Sequence, residues 1–380
     1  MSEADANRGV RAVRVERQRA WNRFLLTALA LHVPLFIYPV LRLGAWLEAP
    51  WLLTLFVLLP LASSQIVARM YLRGRRDLPA ETWRMAADFW LGLSPILLLT
   101  LLVFEVLVAA GLVRPFDAAL STLTITALLG AAGFVVAATP MVKTIHLSSP
   151  KLTGPVRFVQ ITDVHIGSRR RRFLERIVFR INLLEPDFVC ITGDFIDQPG
   201  VPESSLISLR SILCPIYFST GNHERYEDLD DILPRLERLG VNVLRSRSLD
   251  FSDAVQVIGI DDMDDAEQVG RELAGIDVDT DKYVVLLYHR PRGLEAASGH
   301  GVDLMLSGHT HNGQIFPFNL VVGRVFERIV GMYEHEGTRL YVSQGTGTWE
   351  PVLRLGTRAE ITEFIISPEP KSEPQQEGEA

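Results

Sequence analysis

The residues of this sequence that could do chemistry fall at the ends of apolar runs. In "LMLSGHTHNGQ", Leu304 to Gln314, an apolar stretch breaks into a glycine and then two imidazoles, His309 and His311. Residues i and i+2 of an extended chain point the same way, so both rings can face one point. The arrangement recurs upstream: "VQITDVHIG" carries Asp163 and His165, "FVCITGDFID" Asp194 and Asp197, "IYFSTGNHE" Asn222 and His223, and "YVVLLYHR" His289. Five of the nine histidines occupy such ends. Buried ionisable side chains are costly unless paired or metal-bound, and a set this large is hard to reconcile with ordinary packing.

The donors are carboxylates, an amide and imidazoles. This mixture suits Mn, Fe or Zn, whereas a pure oxygen cage would suit Mg or Ca. There are too many donors for one tetrahedral ion with an open position. They fit two divalent ions sharing a carboxylate. Two such ions about 3.5–4 Å apart clamp an in-line displacement at phosphorus.

The elements that must position these residues begin near Val156. Strands are expected from "VRFVQIT", "DFVCIT", "PIYFST", "VQVIGI", "YVVLLY", "VDLML", "RLYVSQ" and "ITEFII". Between them, Phe173, Ile177, Ile181 and Leu184 recur at helical spacing. "LDDILPRLERLG" reads as a second helix, with an early break at Pro234 and a stop at Gly240. The pattern predicts a layered α/β domain, a β-sandwich flanked by helices, whose strand ends build one site.

The N-terminal part is of a different kind. Four apolar segments, Phe24–Leu41, Trp51–Ala68, Phe89–Val113 and Ala118–Thr139, are each about long enough to cross a bilayer as a helix. Pro34, Pro39, Pro60 and Pro95 are tolerated in such helices. Arginines gather before the first segment and between the second and third, which predicts a cytoplasmic N-terminus and a cytoplasmic site in an inner-membrane protein. Glu105 falls inside the third segment, where an ionisable group marks function, is paired, or sits near an interface. The divisions expected are a basic segment 1–23, four transmembrane helices over 24–140, a catalytic domain over 150–366 and a disordered acidic tail over 367–380.

The 380 residues carry a formal charge of −7 and only two cysteines, Cys190 and Cys214, without metal-ligand spacing. A disulfide framework is excluded, and the two read as buried thiols. No repeat is evident, and no dedicated nucleic-acid module or extended basic stripe occurs in the soluble half.

"DVH", "GDFID", "GNHE", the histidine at 289 and "GHTH" occur in the order of the calcineurin-like metallophosphoesterase superfamily, which residues 150–366 resemble. "PDFVCITGDFID", "LSGHTHNGQIFPF" and "YVSQGTGTWEPVLRLGTRAEIT" are similar to its bacterial membrane-anchored subgroup, itself similar to transmembrane metallophosphoesterase-domain proteins. The subgroup's usual "GHTHGGQ" is "GHTHNGQ" here and its usual "WGP" is "WEP"; neither departure removes a ligand. The resemblance implies that Asp163, His165, Asp194 and His311 hold a first metal. Asp194, Asn222, His289 and His309 would hold a second, with Asp194 as the bridge. It implies His223 as the proton donor, oriented by Asp197. A hydroxide formed from a metal-bridging water would attack phosphorus in line.

Arg169, Arg170, Trp349 and Arg354 are candidate substrate contacts. The expected function is a membrane-anchored phosphoesterase cleaving a phosphodiester or pyrophosphate, lipid-linked because anchoring limits encounter to membrane-borne molecules. The alternatives are a phosphomonoesterase, a nuclease, a cyclic-nucleotide phosphodiesterase, and a non-enzymatic metal-binding membrane sensor. Oligomeric state is not read from the sequence.

Overall fold

The computed structural model describes residues 30–369 except 73 and 76. The basic segment 1–23, the start of the first apolar segment and the tail beyond 369 lie outside the described residues. The chain divides into two compact units, Met1–Ala131 and Ala132–Ala380.

The first unit holds apolar helices. They are α1 (Ala30–Trp46), α2 (Trp51–Tyr71), α3 (Leu78–Ala109) and most of α4 (Pro115–Ala138). Three of them, α2, α3 and α4, are long and apolar enough to cross a membrane, rather than the four expected. The difference is α1: its described residues span about 25 Å at about 1.5 Å each, short of a hydrocarbon core about 30 Å thick. Helix α3 starts at Leu78, well before Phe89, because the Asp77 side chain caps it by accepting the Ala80 N–H at 3.1 Å. Hydropathy locates the apolar crossing, whereas the cap locates the helix. Glu105 is paired: Arg42 Nε and Nη2 donate to it at 2.5 and 2.8 Å, and the Tyr38 hydroxyl at 2.7 Å.

The second unit is built on two six-stranded sheets. The first runs β1 (Met141–Ser149), β12 (Glu360–Pro368), β2 (Val156–Ile161), β3 (Phe188–Thr192), β4 (Ile216–Ser219), β5 (Val241–Val243). The second runs β10 (Gly331–His335), β11 (Thr338–Val342), β9 (Leu304–Ser307), β8 (Tyr283–Leu287), β7 (Val255–Gly259), β6 (Arg247–Ser252). All eight expected strands are present. Strands β2 to β5 are mutually parallel, as are β7, β8, β9 and β11. The stretch after Pro140, expected as a linker, instead forms β1, parallel to β12 along its full length.

Three apolar layers hold the sheets. Phe158, Phe188 and Phe364 stack between them, meeting Val257, Val285 and Leu306 of the second sheet. The outer face of the first sheet packs on α5 (Arg171–Leu183), whose Phe173, Ile177 and Ile181 are buried as their spacing predicts. Helix α6 (Asn222–Tyr226) is a single turn after β4, and α7 (Leu229–Arg238) follows it. Helix α7 runs through Pro234 rather than breaking there, its Ile232, Leu233 and Leu236 anchored in the same layer. Tertiary packing outweighs the one lost hydrogen bond. The outer face of the second sheet is covered by α8 (Gln268–Leu273) and α9 (Leu294–Gly299). Cys190 is buried, Cys214 half-buried, and both are free thiols.

The last turn of α4 belongs to this second unit and is capped by arginines. Arg169 donates to the Ala137 carbonyl at 2.5 Å, Arg176 to that of Ala138 at 3.5 Å, and Arg180 to that of Pro140. Guanidinium groups at a helix C-terminus satisfy open carbonyls and complement the helix dipole.

Candidate metal centre

Every expected ligand lies just past the C-terminal end of a parallel strand. Asp163 and His165 follow β2, Asp194 follows β3, Asn222 follows β4, His289 follows β8, and His309 and His311 follow β9. Loops from both sheets therefore meet along one rim. To turn these side chains inward the backbone is strained. Asp163, His165, Asp194, His309 and His311 all have φ between +48° and +72°. Left-handed backbone is uncommon outside glycine, and such strain, about 1–3 kcal/mol per residue, collects at functional sites.

Two clusters result. In one, Asp163, His165 and His311 converge: the two Nε2 atoms lie 3.2 Å apart, and His311 Nε2 is 3.3 Å from Asp163 Oδ1. In the other, Asp194, His289 and His309 converge: His289 Nε2 is 3.1 Å from Asp194 Oδ2 and 3.2 Å from His309 Nδ1. The clusters adjoin, with His289 Nε2 4.0 Å from Asp163 Oδ1. Their separation leaves little room for bulk. A Cβ on Gly221 would stand 2.3 Å from Asp194 Oδ1, and one on Gly308 2.2 Å from Asp163 Oδ2.

Charge is divided unevenly among the imidazoles. His289 Nδ1 donates to the Thr192 carbonyl at 2.8 Å, which fixes the tautomer and turns Nε2 toward Asp194. Burial disfavours charge on His289, yet Asp194 and Asp163 beside it raise its pKa to about 10. Burial and the charge of His289 push His309 down to about 3. Burial, aided by His165 and Arg354 and opposed by Asp163, takes His311 down to about 4. Burial works against the charge of Asp194, but His289 holds its carboxyl well below the usual range.

His223 sits at the edge, its side chain 19% exposed and Nε2 4.0 Å from Asp194 Oδ2. Its ring stands edge-on to His165, with centroids 4.9 Å apart. Burial lowers its pKa. Asp197 departs from expectation: its Oδ2 is 3.4 Å from His165 Nδ1, and its Oδ1 accepts the Ser168 N–H at 2.9 Å. The carboxylate is turned toward a ligand of the first cluster, because the loop after β3 pairs with the loop after β2 through Ile166 and Ile196.

The four candidate substrate contacts separate. Trp349 is half exposed and stands 6.4 Å from the His223 ring, at the rim. Arg170 is exposed. Arg169 is buried, with its guanidinium 4.4 Å above the Phe173 ring and bonded to the end of α4. Arg354 is fully buried; its Nη2 donates to the carbonyls of Gln344 and Gly347 at 2.6 and 2.8 Å. It lies 3.3 Å from His311 Nδ1. These two arginines are committed to backbone carbonyls inside the fold, so a substrate reaches neither without opening it.

Sequence reasoning passed over Glu224, the last letter of "GNHE". It is fully buried and accepts the N–H groups of Gly221, Asp194, Phe195 and Ile196 at 2.8, 3.0, 2.6 and 2.9 Å. Burial and the nearby charge of Asp194 raise its pKa to about 7. Its signal was an acidic residue two places after a candidate ligand.

The residues fit a pair of divalent ions. Each cluster offers a carboxylate and two imidazoles, and Asn222 Oδ1 is buried with no hydrogen-bond partner. A buried amide oxygen left unpaired is expensive, and a cation beside it removes that cost.

Residues 156–313 match the calcineurin-like phosphoesterase family model. An uncharacterized metallophosphoesterase of Campylobacter jejuni is 34% identical over 59% of this chain and 62% of its own length. A transmembrane protein with metallophosphoesterase domain from Danio rerio is 32% identical over 69% of this chain and 65% of its own. An uncharacterized metallophosphoesterase of Aquifex aeolicus is 34% identical over 53% of this chain and 80% of its own. The chain belongs to the calcineurin-like phosphoesterase family. It spans somewhat under two thirds of the first curated relatives it matches. Together with its apolar helices, the relatives named as transmembrane point to a membrane-anchored metallophosphoesterase. Both departures from the subgroup's motifs fall where the backbone is left-handed: Asn312 has φ +49° and Glu350 φ +52°. Asparagine tolerates that conformation better than most residues, while glutamate does not share the advantage.

Proposed function

We propose that this protein is a binuclear metal-dependent phosphoesterase that hydrolyses a phosphodiester or pyrophosphate of a lipid-linked molecule at the cytoplasmic face of the inner membrane. The observation carrying this reading is the meeting of two carboxylate–imidazole clusters beside an unpaired, buried Asn222 Oδ1. When bound, two divalent ions, Mn, Fe or Zn, would supply Lewis-acid charge neutralisation and a water of lowered pKa. Asp163, His165 and His311 would hold one, and Asn222, His289 and His309 the other, with Asp194 between them.

The protein's own groups do the rest. Thr192 keeps the Nδ1 proton on His289, leaving Nε2 as a donor. His309 and His311 are held neutral, as ligands must be. His223 gives its proton to the leaving oxygen. It is partly exposed at the rim, where a leaving oxygen can reach it. Trp349 beside it would border the leaving group.

The orientation rests on arginine: the segment before α1 and the connection between α2 and α3 are rich in it, which supports reading both as inside. We read α1, with the residues before it, as a further crossing. A reporter active only outside the cytoplasm should be active when fused near Ala45 and silent at Ala380; the reverse would place the site outside. For the chemistry, the purified full chain should carry about two transition-metal ions and hydrolyse bis(p-nitrophenyl) phosphate. Full activity in chelator, or with one ion per chain, overturns the reading.

A further inference from the structure

The site is flanked by an apolar surface that the fold leaves uncovered. Directly after the turn carrying His311, α10 (Phe318–Val325) buries none of its residues. Phe316, Phe318, Leu320, Val321 and Val325 are 41–64% exposed. Isolated exposed apolar residues are ordinary, but a contiguous group marks an interaction surface. Its position is specific. At one end, the backbone of Asn319 packs on Gly313, two residues beyond His311. At the other, the Phe326 ring stands edge-on to the His309 imidazole at 5.1 Å. The helix is a wall of the metal centre whose outward face is apolar apart from Arg324.

The same segment is tied to the end of a membrane helix. Phe316 N–H donates to the Leu355 carbonyl at 2.8 Å, and Ile315 bridges Leu355. Two residues earlier in that loop, Leu353 packs on Gly133 of α4, and the Arg354 N–H donates to the Gly133 carbonyl at 3.0 Å. Helix α4 has 24 residues and so spans about 36 Å, a little more than the hydrocarbon core, which brings its last turn out at the headgroups. The arginines that cap this turn suit that depth. These links put the apolar face one loop from the last turns of α4, where that helix would leave the bilayer and lipid would be at hand.

We propose that α10 and the residue turn before it dock in the membrane interface, seating the rim of the metal centre among lipid headgroups. Its occupant is lipid, as for other short helices with one apolar face. With the phosphoesterase reading on which this part rests, the scissile phosphate of a lipid-linked substrate reaches the metals from the headgroup layer while its chains stay in the bilayer.

The test uses the full chain in vesicles of phosphatidylethanolamine and phosphatidylglycerol, with Cys214→Ser as background. A fluorescent label is placed at Val321→Cys, and at Asp253→Cys as reference. Asp253 is exposed and lies before β7, at the end of the sheet opposite the metals. Lipids bearing a nitroxide should quench the label at 321 at least twofold more than at 253, and aqueous iodide should do the reverse. Equal quenching by iodide at both positions overturns the proposal. Shielding at 321 from both quenchers also overturns it, since a second chain or another protein would then cover the face. Quenching needs no turnover, so hydrolysis of bis(p-nitrophenyl) phosphate by the same vesicles tests the enzyme reading separately.

Discussion

The carboxylate of Glu224 accepts the backbone N–H of Asp194 at 3.0 Å, joining the loop after β4 to the loop that carries the candidate bridging carboxylate. Three further backbone bonds fix the same carboxylate. Glu224→Gln replaces one acceptor oxygen by a donor that faces N–H groups. Metal affinity should fall roughly 10–100-fold, the range typical of outer partners of a metal site, with the change read by competition against a chelating dye. An unchanged affinity would show that the two loops are held by their strands alone.

His223 and Asp197 should separate in their effects. His223→Ala should leave metal content intact and lower kcat by about 10²–10⁴, most for esters with poor leaving groups. Asp197 is turned toward His165, not His223. Asp197→Asn should therefore weaken one metal site and lower the rate by a similar factor for good and poor leaving groups alike. A leaving-group dependence copied from His223→Ala would restore Asp197 to the proton donor.

Metal uptake should release protons. In the metal-free protein His289 has its pKa raised to about 10, so at pH 8 it is charged and must lose its proton to become a ligand. His309 and His311, at about 3 and 4, are already neutral there. The His289 proton alone makes apparent affinity rise about tenfold per pH unit between pH 7 and 9, and His165, where the effect of burial is outweighed by Asp197 and the pKa is raised, can only steepen the slope. Calorimetry in buffers of different ionisation enthalpy counts the protons. Binding at pH 8 without proton release would contradict the His289–Asp194 ion pair.

Arg354 should matter for folding more than for substrate. Removing it strands the carbonyls of Gln344 and Gly347 in the interior, at a cost of about 1–3 kcal/mol each. Arg354→Met should lower the denaturation midpoint of the full chain by several degrees, and Arg354→Lys should restore little, because an ammonium lacks the planar fork. A stable Arg354→Met variant with a raised KM would instead mark a substrate contact.

The sequence displayed the centre of the fold and hid its margins. The four strands that its pattern did not reveal, β1, β5, β6 and β10, are the four edges of the two sheets. Edge strands face solvent on one side and carry a mixed pattern, as "MVKTIHLSS" does, so apolar runs do not announce them. The convergence of these side chains was legible because burial of charge is rare enough to stand out. Strand alternation accounts for His309 and His311 only in part. Strand β9 ends at Ser307, and left-handed backbone after it sends the two rings to different clusters rather than to one point. Arg354 and Arg169 looked like substrate contacts because a sequence does not tell an arginine facing solvent from one facing carbonyls.

The pairing of β1 with β12 bears on how the catalytic half can be handled alone. Strand β12 is a nine-residue strand, and β1, which directly follows α4, covers its outer side. A fragment cut at residue 150 loses that cover and presents a long open row of N–H and C=O groups, a template for intermolecular sheet growth. One beginning at Met141 keeps it. The shorter fragment should form fibrillar aggregates at concentrations where the longer one shows no β-rich assembly by light scattering and thioflavin binding. By this expectation, the strand that follows α4 is a guard against polymerisation.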